Sequence, residues 1–241
     1  MVKIILLILS LISTITVHIL ANTLPINDQT TGSILNRLPI FFTPAPYVFF
    51  IWIIIYILLA CWIWNSINEY RATRQLPLKR VLLFAVTSIF HIAWILFWHF
   101  ELFNYSLIMM FALLGTLFLL YTTYPIQEQN WMSRLPISIY FGWVFIATFI
   151  HIDYLLTYHE LSGLWITKSL WTVIFLTIAT AIALHFRYHY KDSAIVVVFI
   201  WAFIGLAVRH LFNELLISTA SIFLSSVLVV GILFIKKTPS K

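Results

Sequence analysis

Eight long apolar runs, separated by short polar segments, dominate the chain. They cover residues 3–21, 46–66, 80–99, 103–124, 136–157, 164–185, 193–211 and 214–235. Each run is close to the ~20 residues that an α-helix needs to cross the hydrocarbon core of a bilayer. No series of short segments alternates with a period of two, so helices are favoured over a barrel. The pattern therefore predicts an all-α, polytopic transmembrane helical bundle with about eight spans.

A pair of prolines marks the start of the second run. Pro44 and Pro46 each lack an N–H and force the preceding residue to be extended, so both are expected before the helix rather than inside it. Further along this run, Trp52 and Tyr56 are four residues apart and share one helical face. Their spacing leaves two interpretations open, namely the wall of a binding site, or packing and an interfacial aromatic belt.

The polar segment 22–45 separates the first two runs and is unusually long for a connection within a helical bundle. We therefore predict that it acts as a lid on the outer side. The first run itself is interpreted as a retained span, since no small-x-small cleavage site follows it.

Composition and charge support the membrane interpretation and exclude a nucleic-acid partner. The 241 residues are 62% hydrophobic and 9% charged, whereas about a quarter of a soluble domain is charged. The net charge of +6 comes from basic residues in short loops. With the N-terminus inside, the inner segments hold 11 of the 14 Lys and Arg residues, leaving only Arg37, Lys168 and Arg209. This bias predicts that both termini are cytoplasmic.

Aromatic and polar residues form helical stripes in two runs. The stripe of the third run consists of Thr87, His91, Trp94 and Trp98. The stripe of the fifth run consists of Tyr140, Trp143, Ala147 and His151, with Asp153 near the outer end. A histidine within a membrane is costly and marks either a functional site or an interhelical hydrogen bond worth about 0.6–2 kcal/mol. A metal site built on His91 and His151 alone lacks sufficient ligands.

The seventh run carries Trp201 and Gly205, four residues apart. Small residues on membrane helices allow a neighbouring backbone to approach closely. We therefore expect a close helix approach at Gly205.

In order and spacing, these motifs resemble those of the tryptophan-rich sensory protein family, the bacterial relatives of the mitochondrial translocator protein. The likeness is greatest to its longer members, which carry extra spans. Residues 42–52 are similar to the start of the second span in those members, and Trp94 matches the tryptophan of the third-span Asn-x-x-Trp motif. The Tyr-x-x-Trp-x-x-x-Ala motif of the fifth span is matched by Tyr140, Trp143 and Ala147. Two family asparagines are replaced here by His91 and His151.

The resemblance implies a TspO-like five-span unit over 1–157, capped by the loop 22–45, and three additional spans over 158–241. It also implies a hydrophobic ligand such as a tetrapyrrole or a sterol, with no certain cofactor and with porphyrin or haem as possible ligands. The candidate pocket walls are Trp52, Tyr56, Trp94, Trp98, Tyr140 and Trp143. The candidate polar anchors, for a propionate or for haem iron, are His91 and His151. Membrane lipid, a homodimer partner and the bacterial cytoplasmic membrane complete the expectation.

Two other classes of function stay open at this point. The first is a membrane enzyme acting on a porphyrin or lipid, in which His91, His151 and Asp153 are acid–base or metal groups. The second is a structural or assembly protein whose tryptophans only pack. Binding requires no chemistry, and no nucleophilic elbow, phosphate loop or zinc-protease motif is present in the sequence.

Overall fold

A computed structural model describes residues 1–126, 130–161 and 166–235, and this part of the chain is helical without a β-strand. The helices are α1 Val2–Thr23, α2 Thr31–Leu35, α3 Ile51–Thr73, α4 Leu78–His99, α5 Phe103–Tyr121, α6 Trp131–Tyr158, α7 Lys168–Tyr190, α8 Ser193–His210 and α9 Leu215–Phe234. All except the short α2 are long and apolar enough to cross a membrane. The predicted all-α bundle of eight spans is confirmed.

Several helices run beyond the apolar runs that predicted them. The fifth apolar run starts at about Pro136, whereas α6 begins at Trp131 and contains Pro136. Likewise, α3 continues to Thr73. Hydropathy marks only the apolar stretch, whereas backbone hydrogen bonds continue the helix through polar residues. The predicted start of the sixth span at 164 lies outside the described residues, and α7 begins at Lys168.

The proline pair starts a helix as predicted. Ala45 is extended, and Pro46 opens a 3₁₀ turn over Pro46–Phe50 that continues directly into α3 at Ile51. Proline suits this first position because the N–H that it lacks would have no partner within the helix.

The polar segment after α1 is ordered rather than a bare connection. Asn27 and Asp28 adopt left-handed conformations, with φ of 52° and 61°, in a tight turn closed by a bridge between Ile26 and Gln29. A capping box between Thr30 and Ser33 then starts α2. That the segment 22–45 moves as a lid stays a prediction.

The chain divides into two compact units, which we describe separately. The first consists of Met1–Pro39 and Trp52–Val144, and within it α4 packs against α1 and α5. The second consists of Ile40–Ile51 and the chain from Phe145 onward, and within it α9 packs against α7 and α8. The predicted grouping of five spans over 1–157 and three over 158–241 stays a prediction.

Candidate functional site

Trp52 lies at the centre of a group of aromatic rings in the first unit. Its indole is nearly parallel to the ring of Tyr56 one turn further along α3, with the two ring centroids 5.8 Å apart. The other rings around it, with their centroid distances, are His18 at 4.6 Å, His91 at 5.1 Å, Tyr140 at 6.1 Å, Trp143 at 6.2 Å and Trp94 at 6.4 Å. We refer to these seven residues as the ring cluster. Helices α1, α3, α4 and α6 all contribute to it.

The ring cluster is well packed. Trp143 and Tyr140 are fully buried, and Trp52 is only 8% exposed. The contacts are stacked, tilted or edge-to-face, the arrangements that aromatic quadrupoles favour, and each pair contributes about 0.5–1.5 kcal/mol beyond its buried area. Six of the eight residues proposed from sequence therefore meet at one place.

A chain of hydrogen bonds runs through the ring cluster. Nδ1 of His91 lies 2.7 Å from Oη of Tyr140, and Nε2 of His91 lies 3.2 Å from Nδ1 of His18. His91 has no exposed surface, so both polar atoms of this buried ring are satisfied by side chains. One proton lies in each of the two hydrogen bonds, and the tautomer of His91 decides which atom of each pair is the donor.

Sequence reasoning missed His18. The residue lies in the first apolar run, and the argument that selected His91, that a histidine within a membrane span marks a site, applies equally to it. It escaped because it belongs to no aromatic stripe on its own helix. Its partners Trp52, Tyr56 and His91 come from two other helices.

One edge of the ring cluster carries polar atoms without partners. His18 and Tyr56 are half-buried, unlike the buried Trp143. Within the described residues, the buried Oη of Tyr56 makes no hydrogen bond, and Nε2 of His18 makes none either. The two rings lie edge to face, with centroids 5.7 Å apart. This edge therefore offers two neighbouring polar groups to a ligand.

A groove of about 530 Å³ lies between α1 and α4 in the same unit. Its lining includes Val17 and Ile92, which are the chain neighbours of His18 and His91. Most of the other lining side chains are aliphatic or small, such as Ser10 and Ser88. Such a groove suits a hydrocarbon chain or the rim of an apolar ligand.

The remaining two candidates from sequence are Trp98 and His151. The stripe of Thr87, His91, Trp94 and Trp98 is buried along its whole length, which confirms the predicted face of α4. Trp98 packs edge to face against Phe103 of α5, with centroids 5.1 Å apart. His151 is buried in the part of α6 that belongs to the second unit. The predicted role of His91 and His151 as polar anchors for a ligand stays a prediction.

In the second unit, polar side chains hold the segment Ile40–Ile51, which we call the proline segment. Oδ2 of Asp153 accepts hydrogen bonds from the backbone N–H groups of Phe41 and Phe42, at 2.9 Å and 2.8 Å. Nε2 of His210 lies 2.8 Å from the carbonyl oxygen of Phe41. Asp153 is thus engaged with the backbone, which argues against the acid–base role considered for it.

Helix α8 approaches the proline segment closely. The N–H of Ala45 donates to the carbonyl of Gly205 at 3.0 Å, and Nε1 of Trp201 donates to the carbonyl of Val48 at 3.1 Å. A Cβ atom on Gly205 would overlap the side chain of Val48 and lie 3.0 Å from Cβ of Pro44. The predicted close approach at Gly205 is confirmed, but its partner is the proline segment rather than a long helix.

Glu101, in the turn between α4 and α5, bonds to residues on both sides of α2. It accepts hydrogen bonds from Gln29 at 2.7 Å and from Arg37 at 3.0 Å, and Arg37 also donates to Gln29. These bonds, that from Gln29 first and those from Arg37 second, hold the pKa of Glu101 below its usual value. No three His, Cys, Asp or Glu side chains in the described ranges come together as a metal site.

The fold and the ring cluster define a polytopic helical membrane protein with an aromatic, histidine-bearing core. A family model described as TSPO-like protein matches residues 4–234, nearly the whole chain. The chain therefore belongs to the TSPO-like protein family, as its motifs predicted. No curated protein and no solved structure gives a significant match.

Proposed function

We propose that this membrane protein binds a flat, apolar ligand of the tetrapyrrole kind at the ring cluster, to sense or to transport it. The observation that carries the proposal is the set of six rings around Trp52, contributed by four helices. Stacking and buried apolar area are the interactions that such a ligand offers. Membership of the TSPO-like family supports the same class of ligand.

The exposed edge of the cluster favours one direction of approach. His18 and Tyr56 are half-buried, while His91 and Trp143 behind them have no exposed surface. The groove between α1 and α4 reaches the chain neighbours of His18 and His91. We propose that the ligand arrives from the lipid through this groove and displaces or stacks on the outer rings.

Haem is one candidate, and the hydrogen bonds bear on how it would be held. Both nitrogens of His91 are engaged, with His18 and with Tyr140. Nε2 of His18 is not, so it is the nitrogen of this pair that remains available to a polar group of the ligand.

Titration with protoporphyrin IX and with haem tests the proposal directly. The purified protein in detergent micelles is titrated while tryptophan fluorescence is followed, because a bound porphyrin quenches nearby indoles. We expect saturable quenching that is weakened in Trp52→Leu, which keeps an apolar side chain but removes the central ring. Trp64→Leu is the matched control, since Trp64 is 57% exposed and lies outside the ring cluster.

Equal affinities in the two variants would place any site elsewhere in the protein. Absence of saturable quenching in the wild-type protein would refute tetrapyrrole binding outright and favour a structural role for the tryptophans.

The location in a bacterial cytoplasmic membrane, with both termini cytoplasmic, is also part of the proposal. It is supported by the bias of Lys and Arg toward one set of loops. The single cysteine, Cys61, can be replaced by serine and a new one introduced as Lys3→Cys. Labelling of that cysteine by a membrane-impermeant maleimide in intact cells would contradict the proposed orientation. The homodimer stays a prediction.

A further inference from the structure

We infer that the ring cluster takes up a proton when it binds its ligand, and that the ligand is an organic acid whose carboxylate meets His18 and Tyr56. This inference rests on the proposed function and adds to it the ionic character of the ligand and a pH dependence of binding. It is built on the hydrogen-bonded chain His18–His91–Tyr140 and on the polar atoms at its outer edge.

The chain of hydrogen bonds has two states. In one, Oη of Tyr140 donates to Nδ1 of His91, and Nε2 of His91 donates to Nδ1 of His18, which leaves the single proton of His91 on Nε2. In the other, both bonds reverse: Nδ1 of His18 donates to His91 and Nδ1 of His91 donates to Tyr140. Nε2 of His18 then carries no proton and becomes a base at the half-buried edge of the ring cluster.

Protonation of Nε2 of His18 makes an imidazolium, and the surroundings suit such a cation. The ring lies 4.6 Å from the indole of Trp52 and 5.7 Å from the ring of Tyr56, centroid to centroid. A cation within about 6 Å of an aromatic ring is attracted by the quadrupole of that ring. His91 accepts the hydrogen bond from Nδ1 of this cation. The proton itself comes from water, and no other bond forms or breaks.

No described acidic side chain of the first unit is placed to provide the anion that this cation requires. The described acidic residues of the first unit are Asp28, Glu69 and Glu101; the first two are exposed, and the third pairs with Arg37. The titratable side chains nearest His18 are Tyr56 on α3 and His91 on α4, and Tyr140 on α6 bonds to His91. None of the three is a carboxylate. A charge on a buried group without a partner is strongly disfavoured. The proton therefore enters together with an anion, which must come from the ligand.

A carboxylate is the anion that fits the two polar atoms at the edge. Nε2–H of the His18 imidazolium and the buried Oη–H of Tyr56 are both donors, and neither has an acceptor in the described part of the chain. A carboxylate accepts two such bonds, and bonds that involve charged groups are about twice as strong as neutral ones. The apolar remainder of the ligand then contacts the ring cluster and the groove beside it.

The test compares protoporphyrin IX with its dimethyl ester, which has the same ring system but no carboxylate. Full-length protein in weakly buffered detergent solution is mixed with each compound, and a pH indicator reports proton uptake against empty micelles. We expect uptake of about one proton per bound molecule of the acid and none for the ester. Affinity for the acid should fall by up to about tenfold per pH unit as the pH rises, because each binding event consumes a proton.

Variants distinguish a role of His18 from a general effect of histidines. His18→Asn should take up no proton with the acid, and its binding of the ester, measured in parallel, reports whether the ring cluster still accepts the apolar ring system. His185→Asn is the matched control, since His185 is exposed and lies in the second unit. It should behave as the wild type does.

Each outcome bears on one of the two proposals. Ester binding together with acid binding that consumes no proton would overturn this inference and leave the proposed function intact. Proton uptake that persists in His18→Asn would overturn the role of His18. If neither compound binds, both proposals fail.

Discussion

The ring cluster of the first unit and the proline segment of the second both place polar side chains in a membrane protein core, but these side chains bond to different partners. In the ring cluster, His18, His91 and Tyr140 bond side chain to side chain. Around the proline segment, Asp153 and Trp201 bond to backbone groups. The partner, more than the residue type, indicates the role of each polar side chain.

The physical reason lies in the backbone. A non-helical segment within a membrane protein has N–H and C=O groups without helical partners, and each unsatisfied group costs several kcal/mol in an apolar environment. Asp153 and Trp201 satisfy such groups and are therefore committed to structure. A bond between two side chains can reverse or break without exposing the backbone. The hydrogen bonds of His18 and His91 can therefore rearrange at no cost to the backbone.

The strongest challenge to this comparison is Gly205→Ala. The added Cβ would overlap Val48 and crowd Pro44, both in the proline segment. We expect the free energy of unfolding to fall by about 1–3 kcal/mol, the usual cost of overpacking. Thermal unfolding in detergent measures the effect.

The matched control is Gly115→Ala on α5, where nothing lies within 4 Å of the added Cβ. Alanine at that helical position should be neutral or stabilising by up to about 1 kcal/mol. Equal stability of the two variants would mean that the proline segment is not held closely against α8.

Asp153→Asn tests whether this carboxylate is structural. The amide keeps one acceptor oxygen but loses the charge that strengthens the bonds to Phe41 and Phe42, so we expect a loss of about 1–3 kcal/mol of stability. Asp28→Asn, at an exposed turn position where asparagine also tolerates a positive φ, should stay within about 0.5 kcal/mol. Loss of ligand binding at unchanged stability would instead return Asp153 to the functional residues.

Tyr140→Phe makes the corresponding change in the ring cluster. It keeps the ring contact with Trp52 and removes the hydrogen bond to Nδ1 of His91. Because the bond joins two side chains, we expect a smaller loss of about 0.6–2 kcal/mol, measured by the same thermal unfolding. Tyr188→Phe, at a ring that is 65% exposed, is the control. A loss larger than that of Asp153→Asn would contradict the contrast between the two regions.

The sequence predicted what depends on spacing within one helix. The eight spans follow from apolar length, and the buried face of α4 and the stacking of Trp52 on Tyr56 follow from spacings of three and four residues. Two prolines correctly located the start of the second span, because their backbone restrictions are local. Pro136 shows the limit of that rule, since α6 extends through it.

What the sequence could not predict depends on contacts between elements far apart in the chain. His18 and His91 are 73 residues apart, and Asp153 is 112 residues from Phe41. Neither periodicity nor composition carries information on such pairs. His91 and Asp153 therefore looked equivalent as candidate acid–base groups, and only their partners distinguish them.

The smallest expected effect concerns Glu101, in the turn between α4 and α5. Its hydrogen bonds are exposed, whereas those of Asp153 are buried. Arg37 and Glu101 keep 40% and 37% of their side-chain surface, so their ion pair should contribute less than about 1 kcal/mol. The pKa of Glu101 is lower in the folded protein than its ordinary value of 4.5. The stabilisation is therefore complete above that ordinary value and is lost as the pH falls through the folded pKa.

Subtracting the unfolding temperature of Glu101→Gln from that of the wild type should give a small difference at neutral pH, which vanishes in acid and shrinks in high salt. Glu69→Gln, at another exposed carboxylate, is the control at neutral pH and should stay within about 0.5 kcal/mol of the wild type. A Glu101 effect as large as that of Asp153→Asn would mean that burial is not what separates the two carboxylates.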